Sequence, residues 1–279
     1  MLAFALLWAA TEATAGLLSS HYSSYQVVWA RYAVHLTLML AIWGWREPAS
    51  LWRTKRPVFQ LCRSMLMVGM PASWIIGTRL GVTMPVMLSV FWFSPMILLL
   101  IAASFLNEPI PTMVWIATMI ACAGSLLLLS PNVGTPPYLL LFPLTMALCF
   151  AAYVAMTRSL RTENRLANLS YTAAGVFVVL TPLMPHVWIT PSGPDVLLFV
   201  GIGTLGFLAL LAIDLSAAAA PISIGAPITY VQLIFMTLFA ASLASQGSAR
   251  AATIGLLLIA ASVLYVWARA PHLEILEAK

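Results

Sequence analysis

Trp8-Ala-Ala-Thr-Glu12 sets an indole and a carboxylate four residues apart, one turn apart on the same face of a helix. The run around them, MLAFALLWAATEATAGLL, is otherwise apolar. An ionised side chain at the centre of a membrane helix costs about 2.5–3.5 kcal/mol on insertion scales, so Glu12 needs a partner or a task. Arg31 lies about six residues into the next apolar run, and His35 follows it by one turn. With Met1 near one membrane surface, a rise of 1.5 Å per residue puts Glu12 roughly 17 Å deep, level with Arg31. Two roles are open. Glu12 is either half of a structural ion pair that pins the first two helices, or a cavity-facing group that binds a substrate cation or takes a proton. His35 reads as a packing or hydrogen-bonding group, with a part in transport as its alternative.

The elements that must hold these groups are membrane helices. The chain is 62% hydrophobic and 8% charged, far below the roughly 25% charged residues of soluble domains. Ten apolar runs are legible, at about 2–18, 25–45, 61–81, 84–106, 112–130, 138–157, 169–189, 195–213, 219–244 and 251–268, each near the length that spans a bilayer. The connections leave no room for a soluble catalytic domain. The first run has no basic segment before it, and so reads as a span rather than a signal peptide. The net charge of +5 is a topological signal and not a nucleic-acid one. Its basic residues fall in two loops on one face, Arg46–Arg63 and Arg158–Arg165, while the other face holds Arg250, with Arg79 at its border. By the positive-inside rule the basic face and both termini are cytoplasmic. Cys62, Cys122 and Cys149 lack metal-ligand spacing and read as small packing residues.

The chain also matches itself. Ala5–Ala13 aligns with Ala147–Ala155 at five of nine positions, and Ala102–Glu108 with Ala240–Gln246 in a register that runs ungapped to Leu126/Leu264. The seam is the Pro- and Gly-rich stretch Ser130–Tyr138. Five spans per copy is an odd number, so the second copy enters the membrane inverted, a recurrent transporter plan. The order WxxxE in span 1, Arg31-Tyr32 in span 2, LCRSMLM opening span 3 and FWFSPMILLLIAASFLNEP in span 4 resembles the EamA-type branch of the drug/metabolite transporter superfamily. The resemblance implies ten helices in two inverted repeats and alternating access without ATP. The repeats would be residues 1–130 and 138–268, with 269–279 a short cytoplasmic tail. An acidic residue that follows the fourth helix of a repeat in that family stands here as Glu108, while its second-half counterpart is Gln246.

On that plan Trp92, Tyr153 and Tyr230 fall mid-span in cavity-lining helices and, with Trp8, form an aromatic wall beside Glu12 suited to a flat or cationic ligand. Lipid or core packing is the competing role for each. Pro95 and Pro227 are the candidate helix bends, with Gln232 close behind the second. Gly201-x-Gly203-x-x-Gly206 sits inside an apolar span and reads as close helix packing, not a dinucleotide loop. Asn168-Leu-Ser170 is a glycosylation sequon on the expected cytoplasmic side.

The expectation is an all-α multi-pass protein of the plasma (bacterial inner) membrane, a secondary transporter of small organic metabolites with no metal or cofactor. Amino acids or related amphipathic compounds are the first substrate choice. A nucleoside-containing cation such as S-adenosylmethionine is the alternative. An intramembrane lipid-modifying enzyme or an assembly factor is the rival from another class. Proton coupling is open, as is the choice between monomer and a homodimer through the terminal span of each repeat, since the small-residue stripe Ala251–Ser262 could equally pack within the monomer.

Overall fold

The computed structural model describes residues 1–131, 134–239 and 249–277, with the side chains of 249 and 270–277 left out. Among these the regular structure is helical: α1 (Leu2–Ser19), α2 (Ser24–Trp43), α3 (Pro57–Arg79), α4 (Met84–Phe91), α5 (Ser94–Phe105), α6 (Thr112–Leu129), α7 (Leu141–Ser159), α8 (Arg165–Leu180), α9 (Met184–Val187), α10 (Gly193–Ala219), α11 (Ile222–Ile228), α12 (Val231–Phe239) and α13 (Ala249–Glu277). Runs rich in Ala, Leu and Met favour helix, and in hydrocarbon a helix satisfies its own backbone. Pro57, Pro85 and Pro95 sit in first turns, where a missing N–H costs nothing. Gly81, at φ 92°, turns the chain after α3, and an L side chain would be strained there.

Eight elements among the described residues are long and apolar enough to cross a membrane. The fold is an all-α membrane protein. α2 and α3, with 20 and 23 residues, have the length but not the apolarity. Their polar residues point inward: Gln26, Arg31, His35, Gln60 and Arg63 are all buried. The expected fourth span is two helices, broken at Trp92–Phe93 just before Pro95. The ninth breaks at Thr229–Tyr230, just after Pro227. The register that pairs Ala102 with Ala240 carries Met84 onto Ile222 and Trp92 onto Tyr230.

Two expectations need correction. The basic clusters are not confined to loops: Arg63 lies buried within α3, Arg158 closes α7 and Arg165 opens α8. Arg63 and Arg158 are drawn in by polar partners between helices, described below, while Arg165 keeps 46% of its side chain accessible. Arg46, Arg53, Lys55, Arg56 and Arg161 remain exposed on the connections. The segment expected as a short tail continues α13 as far as Glu277. The counterpart of Glu108, Gln246, lies outside the described residues.

α6 and α13 form the most extensive helix pair. They cross where Gly124 meets Gly255: a methyl on Gly124 would stand 2.7 Å from the Gly255 carbonyl oxygen. The small-residue stripe of α13 is therefore spent within the chain. Gly124→Leu should lower stability in detergent by about 1–3 kcal/mol through overpacking. Gly201→Leu, at a glycine facing open space, should change it by less than about 0.5 kcal/mol. Thermal unfolding of the two purified variants checks this.

Candidate functional site

Phe4, Ala5, Trp8, Ala9 and Thr11, the inward face of α1, are buried. Glu12 sits on that face, turned away from the exposed Leu2, Leu6 and Leu17. Yet its side chain keeps 38% of its surface accessible. Farther along the same face Gly16 and Ser19 are exposed, while toward Met1 the face is covered. The carboxylate therefore keeps accessible surface on the inward face of α1, which is covered toward Met1 and exposed toward Ser19.

Arg31 faces it from α2. Its Nη1 lies 3.8 Å from Glu12 Oε1, with the guanidinium 8% accessible. A charge-assisted hydrogen bond would be about 2.7–2.9 Å long, so the two charges face each other without closing. The guanidinium is held from two sides, 5.2 Å from the Trp8 ring centroid and 5.0 Å from that of Tyr32. Gly206 of α10 makes room for it: a methyl there would lie 3.0 Å from the Arg31 side-chain carbons. Gly203 in the same way admits Val34. Helix packing is thus the use of these glycines, and one of them seats the cation. His35 stacks 5.0 Å from Phe207 and 6.3 Å from Tyr32. It packs behind the ion pair, and its Nε2 has no partner.

The other expected site residues have partners of their own. Trp92 and Tyr230 face each other at the two helix breaks, ring centroids 5.4 Å apart, and the Tyr230 hydroxyl donates to the Trp92 carbonyl at 2.7 Å. The break makes that carbonyl available, because the Met96 amide turns to Phe93 instead. Gln232 donates to Met236 Sδ at 3.7 Å. Tyr153 lies over the Arg63 guanidinium at 4.9 Å.

Arg63 opens onto a buried polar network that sequence reasoning missed. It donates to Thr157 Oγ1 at 2.9 Å, to Gln60 Oε1 at 3.0 Å and to the Asn168 carbonyl. Gln60 donates to the Asn168 side chain, and Asn168 Nδ2 to Asp214 at 3.0 Å. Arg165 Nε lies 3.3 Å from the other Asp214 oxygen. The sequon asparagine is thus 2% exposed and committed to this network. Nearby, Glu108 accepts from Arg158 Nε at 2.7 Å and from the Ile222 amide at 2.9 Å, while Arg158 Nη1 donates to the Ala217 carbonyl at 2.8 Å. A signal for Asp214 was present: a lone carboxylate in the apolar run GIGTLGFLALLAIDLSAAAA, the pattern that drew attention to Glu12. Among the described residues no group of three or more His, Cys, Asp or Glu is placed to hold a metal ion.

No family model matches the chain. Proteins named S-adenosylmethionine uptake transporter are similar to it along most of their length. The one from Rickettsia felis is 25% identical over 92% of this chain and 87% of its own. Those from Rickettsia conorii and Rickettsia bellii are each 24% identical over 92% of this chain. A solved crystal structure superposes with a TM-score of 0.82 over 98% of this chain and 96% of its own, at 17% identity, and so shares the fold. The chain is thus similar over nearly its whole length to named transporters and shares its fold with a solved structure. Its apolar helices, with that likeness to bacterial membrane transporters, make it a multi-pass protein of the plasma membrane.

The Tyr230 hydroxyl ties the two helix breaks together. Tyr230→Phe leaves the Trp92 carbonyl unpaired among apolar neighbours and should cost about 0.6–1.7 kcal/mol, the range of interhelical hydrogen bonds in membranes. Tyr138→Phe, at an exposed tyrosine, should be neutral. Denaturant unfolding in mixed micelles measures both.

Proposed function

We propose that the transported compound carries an α-amino-carboxylate and a second, cationic and aromatic part, as S-adenosylmethionine does. The observation that carries this is the unclosed pair of Glu12 and Arg31 beside the Trp8 ring, with the carboxylate accessible on the inward face of α1. Separating two charges in a membrane strands each of them unless the ligand brings the matching charges. A simple cation satisfies Glu12 and abandons Arg31, and a simple anion does the reverse. A zwitterion replaces the pair on both sides. Glu12 then takes the ammonium or sulfonium, Arg31 the carboxylate, and Trp8 stacks on a flat ring. Amino acids, the first choice from sequence, offer the two charges without the flat ring. The likeness to relatives named S-adenosylmethionine uptake transporter favours the larger compound. Between substrates, the same carboxylate is the place for a coupling proton.

The architecture that serves this function is ten spans, α2 and α3 included, in two inverted five-helix repeats over residues 1–130 and 138–268. Both termini lie on the cytoplasmic side. The register pairing Met84 with Ile222 and Trp92 with Tyr230 supports the repeat. The five exposed basic residues of the connections support the orientation. Transport is by alternating access. The use of the α13 stripe inside the chain supports a monomer as the transporting unit.

Uptake of labelled S-adenosylmethionine into proteoliposomes tests the reading. Wild type should accumulate label that excess cold substrate displaces. Glu12→Gln, reconstituted to equal density with an unchanged elution profile, should fall by about tenfold or more, the scale of 1.4 kcal/mol or greater. Equal uptake by the two proteins would remove Glu12 from the cycle.

A further inference from the structure

The two halves are not packed alike, and one of the differences lies around a helix end. In repeat order, α1, α2 and α3 correspond to α7, α8 and α10. Several equivalent interfaces are closed in both halves: α1 packs on α10 as α3 packs on α7, and α2 packs on α10 as α3 packs on α8. One set is unequal. α10 packs against α7 and α8, whereas α3 barely meets α1 or α2. The open side of the Glu12 face runs toward Ser19, where α3 should close and does not. The closed side runs toward Met1, where the C-terminal end of α10 is held.

Two ties hold that end. Arg158, in the last turn of α7, reaches the Ala217 carbonyl of α10 and is itself held by Glu108, whose other oxygen takes the Ile222 amide at the start of α11. Asp214 of α10 takes Asn168 and Arg165 of α8. Glu108 and Arg158 are nearly inaccessible, at 9% and 8%. At the other end, the C-terminal end of α3 reaches α2 through Arg79, which lies 5.4 Å from the Tyr25 ring. In the sequence register the counterpart of Glu108 is the uncharged Gln246, which lies outside the described residues.

We propose that Glu108, through Arg158, is a gate latch. It holds α10 against α7 and keeps the Met1 side of the substrate path shut, and it releases when that side opens and α3 closes on α1. This rests on the alternating-access reading above. The Arg63–Asn168 bonds join α3 to α8, an interface closed in both halves, and stay intact through the cycle. Glu108 is a positioning residue: it touches no substrate and acts on the gate through Arg158.

The test is a pair of distances measured by double electron–electron resonance on spin-labelled protein in nanodiscs, with the three native cysteines replaced. One label pair is Thr162→Cys with Ala218→Cys, across α7 and α10. The other is Ser20→Cys with Leu80→Cys, across α1 and α3. The registers of the two repeats carry Ser20 onto Thr162 and Leu80 onto Ala218, and all four positions are exposed. In Glu108→Gln the population with the first pair widened should rise about tenfold, and the second pair should shorten in the same proportion. Glu108→Asp, too short to span both partners, should shift both pairs in the same direction by less, and it serves if the glutamine variant does not fold. Unchanged distributions in both pairs would overturn the latch. A widened first pair with an unchanged second would leave the latch standing and overturn alternating access, so the two failures are told apart.

Discussion

In hydrocarbon an ionised side chain persists only against a partner, and this constraint decides where the helices of this chain can meet. Each described intramembrane charge sits at a junction between helices. Glu12 faces Arg31 between α1 and α2, Asp214 meets Arg165 between α10 and α8, and Glu108 ties α7 to the start of α11. Arg63 spreads its donors over α7 and α8. The partners differ in how fully they close. Glu108 and Arg158 sit at hydrogen-bonding distance and are nearly sealed, whereas Glu12 and Arg31 stand apart with the carboxylate open. A closed pair holds a structure together, and an unclosed one is available to a ligand.

The backbone obeys the same constraint. A broken helix inside a membrane leaves carbonyls that nothing in lipid can satisfy. The two breaks in this chain are set against each other, and the side chain of one covers the carbonyl of the other through Tyr230 and Trp92. The bends are therefore a coupled pair rather than two separate weak points. Glycine completes the arrangement where backbones or side chains must come close, at Gly124 and Gly255 for α6 on α13 and at Gly206 for the Arg31 side chain.

Much of this was legible in the sequence, because periodicity and charge cost are local. The helical class, the approach of Glu12 to Arg31 with Trp8 alongside, and the bends near Pro95 and Pro227 all follow from residues within a few turns of one another. What could not be read depends on long-range contact. Tyr153 aligns with Thr11 and looked like cavity wall, yet its face is taken by Arg63 from another helix. Arg63 and Arg158 counted as loop charges because a basic residue near a span end normally turns to water. Buried acceptors from distant segments draw them inward instead. Asn168 matched a surface sequon and proves to be the hub of a buried network. The apolar pattern of α2 and α3 is diluted by residues that face inward, so these two fall outside the eight helices that are long and apolar enough to cross a membrane among the described residues.

The central claim is that an open carboxylate in the middle of α1 receives the cationic part of the substrate. Equilibrium binding to purified protein tests it most directly, comparing S-adenosylmethionine with S-adenosylhomocysteine, which carries a neutral sulfur in place of the sulfonium. The account predicts that wild type prefers the sulfonium compound by about tenfold or more, roughly 1.4 kcal/mol, and that Glu12→Gln loses this preference while still binding the neutral one. Equal affinity of wild type for the two compounds, or a preference that survives in Glu12→Gln, would contradict it.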